Sequence, residues 1–267
     1  MCKMRNFLGL ARAMRVFGGV AAALAISGCA GIGGDYRSGV DGEAIINAIE
    51  QDDVSALRAM VSRGALSVNQ RLPAPGYSGG APLMALAARA ASIEALRYLI
   101  SAGADINAST PVNETPLMLA AYFRDDGNAS VDRHDAAVRL LVESGASLEN
   151  APNNYTPLAY AAYNNRERAL RYLIERGARL DADANGGMVY VNTPLMMAAI
   201  QGNRDVVRVL LVAGADPLIR VSNGLTAREF ALKYNHTHVT PLLACAENLP
   251  SGMRYAQHCE GRIATAH

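Results

Sequence analysis

Residues 95–105 read Ala-Leu-Arg-Tyr-Leu-Ile-Ser-Ala-Gly-Ala-Asp, and residues 115–121 read Thr-Pro-Leu-Met-Leu-Ala-Ala. In the first stretch Leu96, Leu99 and Ile100 fall at three- and four-residue spacing, the apolar stripe of an amphipathic helix. Gly103 then stands just past the helix end, where the chain needs a left-handed backbone angle that glycine adopts without a side-chain clash. In the second stretch Thr115 suits a helix cap and Pro116 its first turn. The Ala120-Ala121 pair lets a neighbouring helix approach closely. Together the two stretches describe helix pairs joined by tight loops.

Both stretches recur. Segments like the first end at Ala65, Ala104, Ala146, Ala178 and Ala215, each after a glycine: Gly64, Gly103, Gly145, Gly177 and Gly214. Segments like the second begin at Ala81-Pro82-Leu83-Met84, Thr115-Pro116-Leu117-Met118, Thr156-Pro157-Leu158-Ala159 and Thr193-Pro194-Leu195-Met196. A single unit of this kind cannot bury its own apolar face, so the units must stack into a row. The spacing between the glycines is 39, 42, 32 and 37 residues, with extra residues at 123–134 and 184–191. Insertions in such an array map to loops, often on a working face.

The pattern Thr-Pro-Leu-x-x-Ala-Ala, a second helix and then Gly-Ala-Asp resembles the ankyrin repeat. Gly103-Ala104-Asp105 and Gly214-Ala215-Asp216 match its ending best, whereas Leu66, Ser147 and Arg179 replace the Asp elsewhere. The resemblance implies an all-α solenoid of helix pairs with β-hairpin-like turns, about six repeats over residues 41–247. The opening unit, Asp41 to Arg71, and the unit from Gly224 are expected to be end caps, the last with a second helix from Thr240. The family carries His after Thr-Pro-Leu, linking neighbouring turns; here Met84, Met118, Ala159 and Met196 stand there, so apolar packing is expected to replace that network. The Ala87-Ala88 pair comes one residue late, which leaves the register of its unit ambiguous.

The first thirty residues read as an address. Lys3, Arg5, Arg12 and Arg15 precede an apolar run from Val16 to Ile26, the layout of a secretory signal. Eleven helical residues span roughly 16 Å, about half a bilayer core, so a membrane-spanning helix is the weaker reading. The run ends Leu24-Ala25-Ile26-Ser27-Gly28-Cys29, which resembles the bacterial lipoprotein cleavage box. That resemblance implies a signal peptide over 1–28, lipid (palmitate among its acyl chains) on Cys29 and a flexible tether over 29–40. Ala30, rather than Asp, follows the Cys, so the outer membrane of a Gram-negative cell, facing the periplasm, is the expected location. Without its leader the chain holds 21 basic against 24 acidic groups, a balance that offers no footprint for nucleic acid.

The search for catalytic chemistry points to no enzyme and no cofactor. Asp125, Asp126, Asn128, Asp132 and Asp135 crowd one insertion but lack the spacing of a calcium loop, and read as a solvated loop. His236 and His238 could chelate a metal, but read as part of a loop before a helix. After processing, Cys245 and Cys259 remain, an even pair that points to a disulfide in an oxidising compartment, stapling the tail over 248–267. The competing reading makes Cys245 a small core residue. Arg58, Arg97, Arg139, Arg171 and Arg208 recur at one place in every second helix and read as solvated residues whose stems cover neighbouring helices.

Proteins resembling ankyrin repeats bind through hairpin tips and the exposed side of the first helices, a concave surface. The matching positions here are Tyr77, Tyr122, Phe123, Tyr155, Tyr163, Asn164, Tyr190 and Gln201, and aromatics with a polar tip favour protein interfaces. The competing reading packs Tyr122 and Tyr163 on each other between units. If they serve binding, replacing both by Ala should abolish partner capture and leave the melting transition nearly unchanged. The expected function is a membrane-tethered binder of another protein. Alternatives are an immunity protein against a periplasm-targeted toxin and an envelope-assembly scaffold.

Overall fold

The computed structural model describes residues 42–74, 76–123, 133–149, 155–181, 193–221, 224–249 and 255–259. The leader, Cys29, the tether, most of the acidic insertion (124–132) and Tyr190 lie outside the described residues. No helix among the described residues is long and apolar enough to cross a membrane.

Residues 38–267 form one compact unit. Its helices come in pairs: α1 (Gly42–Glu50) with α2 (Val54–Ser62), α3 (Leu83–Ala90) with α4 (Ile93–Ser101), and α5 (Pro116–Tyr122) with α6 (Arg133–Glu143). The row continues with α7 (Pro157–Tyr163) and α8 (Glu167–Glu175), α9 (Pro194–Gln201) and α10 (Arg204–Ala213), and α11 (Ala227–Lys233) and α12 (Thr240–Glu247). The odd-numbered helices pack side by side in one layer and the even-numbered in a second. Between the layers Leu57, Leu96, Leu99, Leu141, Leu170, Leu173 and Leu210 are fully buried. The paired alanines of α5, α7 and α9 are fully buried too, so the first helices approach closely. The unit is therefore a helix-pair solenoid of six repeats.

Caps explain where the first helices begin. Thr115, Thr156, Thr193 and Thr226 each accept a hydrogen bond from the backbone N–H three residues on, at 3.2–3.4 Å. Each such cap stabilises its helix by about 1 kcal/mol. Within the unit, the Met118 sulfur accepts the Thr115 N–H at 3.3 Å and completes the cap of α5. The caps of α3 decide the register of the second unit, which the sequence left ambiguous. Pro82, not Ala81, is the N-cap of α3, which starts at Leu83 and carries no side-chain cap. The N–H of Ala91 returns to Ala87 and Ala88 as that of Gly202 does to Ala198 and Ala199. Ala87-Ala88 is thus in step with the other pairs, and Ala85 rather than Met84 takes the family's His position. Gly64, Gly103, Gly145, Gly177 and Gly214 all adopt positive φ.

Among the described residues one hairpin is a true strand pair, β1 (Arg71–Ala74) with β2 (Tyr77–Pro82). The tip at Thr110–Glu114 is a tighter turn whose ends are joined by a backbone bond of 2.9 Å, and Val221 donates its N–H to the Leu225 carbonyl at 3.2 Å.

Two hydrogen-bond ladders tie unit to unit. On the hairpin side, the residue after each Gly-Ala donates its backbone N–H to a side chain of the preceding unit. Asp105 donates to Asn69 (2.8 Å), Ser147 to Asn107 (3.0 Å), Arg179 to Glu149 (2.8 Å) and Asp216 to Asp181 (3.0 Å). The backbone carries the rung, which is why the family's Asp can give way to Ser147 or Arg179. On the other side, a polar residue near the start of each second helix reaches a carbonyl at the end of the previous first helix. Ser92 donates to Ile49 (2.5 Å), Asn164 to Tyr122, and Asn203 to Ala162 and Tyr163 (2.9 and 3.0 Å). His134 and His238 place Nε2 at 3.0 and 2.8 Å from the carbonyls of Arg89 and Gly202.

The column of five arginines is exposed throughout. Arg58 lies over the Tyr98 ring at 5.4 Å and Arg139 over Tyr172 at 4.4 Å, so the stems cover the next helix. At the far end a disulfide joins Cys245 in α12 to Cys259, and the short α13 (Tyr255–His258) packs against α10.

Candidate protein-binding face

The last turns of the first helices and the tips before them form one edge of the array. Counting from the caps, Glu50, Arg89, Tyr122, Tyr163, Ile200 and Lys233 hold one position in six successive units. One turn earlier the equivalents are Leu86, Leu119, Tyr160, Met197 and Phe230.

At the centre of this edge stands a cluster built on Glu114. The tip preceding α5 carries its carboxylate, which accepts from the hydroxyls of Tyr77 on β2 (3.1 Å) and Tyr160 on α7 (3.3 Å). Three successive units thus meet at one acid. Burial raises the pKa of Glu114, while those two hydrogen bonds and the charge of Arg89 pull it back. Tyr122 fills the gap beside it, stacked on Tyr163 (centroids 6.3 Å, planes 16° apart) and edge-on to Tyr160 and Phe123. Burial, followed by the charges of Tyr163 and Glu114, pushes the Tyr122 hydroxyl up to about 12, and burial alone does the same for Tyr155. Gln201 of the next unit hydrogen-bonds the Tyr163 hydroxyl.

Tyr77 and Tyr163, at 7% and 9% exposure, are buried, whereas Tyr122, Phe123, Tyr155, Asn164 and Gln201 are half-buried. The packing argues against the expectation that removing Tyr122 and Tyr163 together leaves melting nearly unchanged. The two rings stack across the joint between α5 and α7, so their loss opens a void there. Asn164 is also committed, as a rung to the Tyr122 carbonyl.

The sequence reading missed Tyr160, Arg89 and Tyr234. Tyr160 falls at an apolar position of its helix, but a buried hydroxyl needs a partner, and that requirement was the available signal. Tyr234, just past α11, is 39% exposed, and Lys233 lies over its ring at 6.0 Å. His236 and His238 pack edge to face around Gly202, where an added Cβ would lie 2.6 Å from His236 Nδ1. Among the described residues no three or more His, Cys, Asp or Glu side chains are grouped to hold a metal.

Residues 45–148 and 86–185 match the family described as ankyrin repeats (3 copies), and residues 184–231 match ankyrin repeats (many copies). The chain belongs to the ankyrin-repeat family. Ankyrin arrays are modules for protein–protein interaction, and that is the class of this chain. It is similar to the Palmitoyltransferase Hip14 of Drosophila melanogaster, 46% identical over 91 residues, 33% of this chain and 14% of that protein. A Transient receptor potential cation channel subfamily A member 1 homolog of Caenorhabditis elegans is 24% identical over 202 residues, 73% of this chain and 16% of that one. A putative ankyrin repeat-containing protein of Treponema pallidum is 38% identical over 108 residues, 40% of this chain and 33% of that protein. The chain thus spans a third or less of the length of each of these relatives.

Proposed function

We propose that the chain is a membrane-tethered module that grips another protein from the periplasmic side of the outer membrane, through its hairpin tips and first helices. The observation that carries the reading is the row of aromatic and amide side chains along that edge, from Tyr77 through Phe123 and Tyr155 to Gln201 and Tyr234. Tyr77 is buried at one end of the row, and Phe123, Tyr155, Gln201 and Tyr234 are partly exposed beyond it. Rigid, partly exposed aromatics bury area at low entropy cost, as interface anchors do. The Cys29 box supports the tether, and the Cys245–Cys259 disulfide supports an oxidising compartment.

Two measurements test this reading. Cys29→Ala is expected to move the chain from the membrane fraction to the soluble fraction and to end incorporation of labelled palmitate. Affinity capture from envelope extracts, with the anchor intact, is expected to return a defined partner that Phe123→Ala with Gln201→Ala no longer retains. Unchanged capture by that variant would remove the face from the assignment.

A further inference from the structure

We infer that the gripping face takes an uncharged, proline-rich segment of its protein partner, held as a polyproline II helix across the ends of α5, α7, α9 and α11. The inference rests on the reading of this edge as a binding face and adds the chemistry of what binds. One position further from the caps than Tyr122 and Tyr163, four successive units carry Phe123, Asn164, Gln201 and Tyr234. All four are at least partly exposed. The row is thus a ring at each end with two amides between. Phe123 is held edge-on by Tyr122 at 5.1 Å and by Arg89 over its ring at 5.4 Å, so it is fixed before anything binds.

Charge complementarity calls for a neutral occupant. The helices α5, α7 and α9 contain no charged residue. Glu114 already accepts from Tyr77 and Tyr160 and feels the charge of Arg89, so the charges at that end answer one another. In α11, Arg228 pairs with Glu247 at 2.7 Å and Glu229 with Arg220 at 3.1 Å, while Lys233 lies over the Tyr234 ring.

Spacing then selects the conformation of the occupant. Neighbouring first helices stand about 8–10 Å apart, and that is the step of the row. A polyproline II helix advances about 9 Å per turn of three residues, so every third residue meets the next unit. One turn of α-helix advances only about 5.4 Å. Three residues of a β-strand cover about 10 Å but point successive matches to opposite sides. Three steps from Phe123 to Tyr234 span roughly 24–30 Å, about nine residues of polyproline II. Proline rings then pack on Phe123 and Tyr234, as they do in aromatic-lined grooves. The backbone carbonyls of such a helix have no internal partners. Asn164 gives one amide N–H to the Tyr122 carbonyl and keeps a second for them, and the Gln201 amide stands one step on.

The test uses the full chain, immobilised in detergent, against a library of random linear peptides of about twelve residues. Selected peptides are expected to be poor in charge and enriched in proline at three-residue spacing. Tyr234→Ala should weaken a selected peptide roughly thirtyfold by fluorescence anisotropy, as loss of an anchoring ring does. Gln201→Leu should weaken it about fivefold, the effect of one lost hydrogen bond. Arg97→Gln, exposed on α4, should leave it unchanged. Adding one residue between two of the peptide's prolines should abolish binding. Circular dichroism checks that each variant folds. Selection of charged peptides, or of apolar patterns with helix or strand spacing, would overturn the inference while leaving the gripping face standing, provided their binding falls with Tyr234→Ala. Proline-rich binding indifferent to the added residue would overturn it too. Failure to select any peptide that depends on Phe123, Gln201 or Tyr234 would count against both.

Discussion

Tyr163 stacks on Tyr122 with the rings nearly parallel, and its backbone carbonyl accepts from Asn203 of the next unit. Truncating it empties the joint between α5 and α7. Tyr163→Ala is expected to destabilise the fold by about 3 kcal/mol or more, read from chemical denaturation. Phe123→Ala, which removes a half-buried ring at the edge, should cost clearly less. The tyrosines also set an alkaline limit. An unfolded tyrosine ionises near pH 10, but Tyr122 and Tyr155 resist ionisation up to about 12. Between those values the unfolded state has lost protons that the folded state keeps, so stability present below pH 10 is lost as pH rises toward 12. Spectrophotometric titration should show an early class of tyrosines ionising near 10 and a late class whose ionisation coincides with unfolding. A single early class with no unfolding would contradict the packing described for these rings.

The elements repeat because the same local devices recur, and these were legible in advance. Thr, Pro and Gly act on the backbone within a few residues, so their spacing alone reveals where helices start and stop. The ladders were not legible, since each rung joins residues 30–45 positions apart and the hairpin-side acceptor changes from Asn69 to Asn107, Glu149 and Asp181. The register of α3 was hidden for a related reason. Pro can serve as N-cap or as first helical residue, and only the returning bonds at Ala91 decide between them. On the candidate face, the places of Tyr122, Phe123 and Gln201 just after the alanine pairs were readable. Arg89 and Tyr160 gain meaning only from partners in other units. Asn107→Ala should leave the Ser147 N–H without its acceptor and cost about 1–3 kcal/mol, with hydrogen exchange quickening first where α6 leads into the next tip. An unchanged exchange pattern would show that the rung carries no stability.

In a row of units each repeat touches mainly its neighbours, so stability is local and the ends are vulnerable. At the C-terminal end the Cys245–Cys259 disulfide closes a loop across a sequence separation of 14 and holds α13 against α10. Closing a loop of that size contributes on the order of 3 kcal/mol. Cys259→Ser is therefore expected to lower the melting temperature and to speed hydrogen exchange in α10 to α13, while α5 to α8 exchange as before. Uniform loss of protection along the chain would instead mean one cooperative core and would refute the modular account.

The central claim is that this array holds a partner protein along its hairpin and first-helix edge. Site-specific photo-crosslinking in intact cells tests it most directly, with the crosslinker placed in turn at Phe123, Gln201 and Tyr234, and at Arg97 and Arg171 on the second helices. Adducts to one and the same protein from the first three positions, and none from the last two, are the predicted result. Adducts confined to the second-helix positions, or no adduct from any first-helix position, would contradict it.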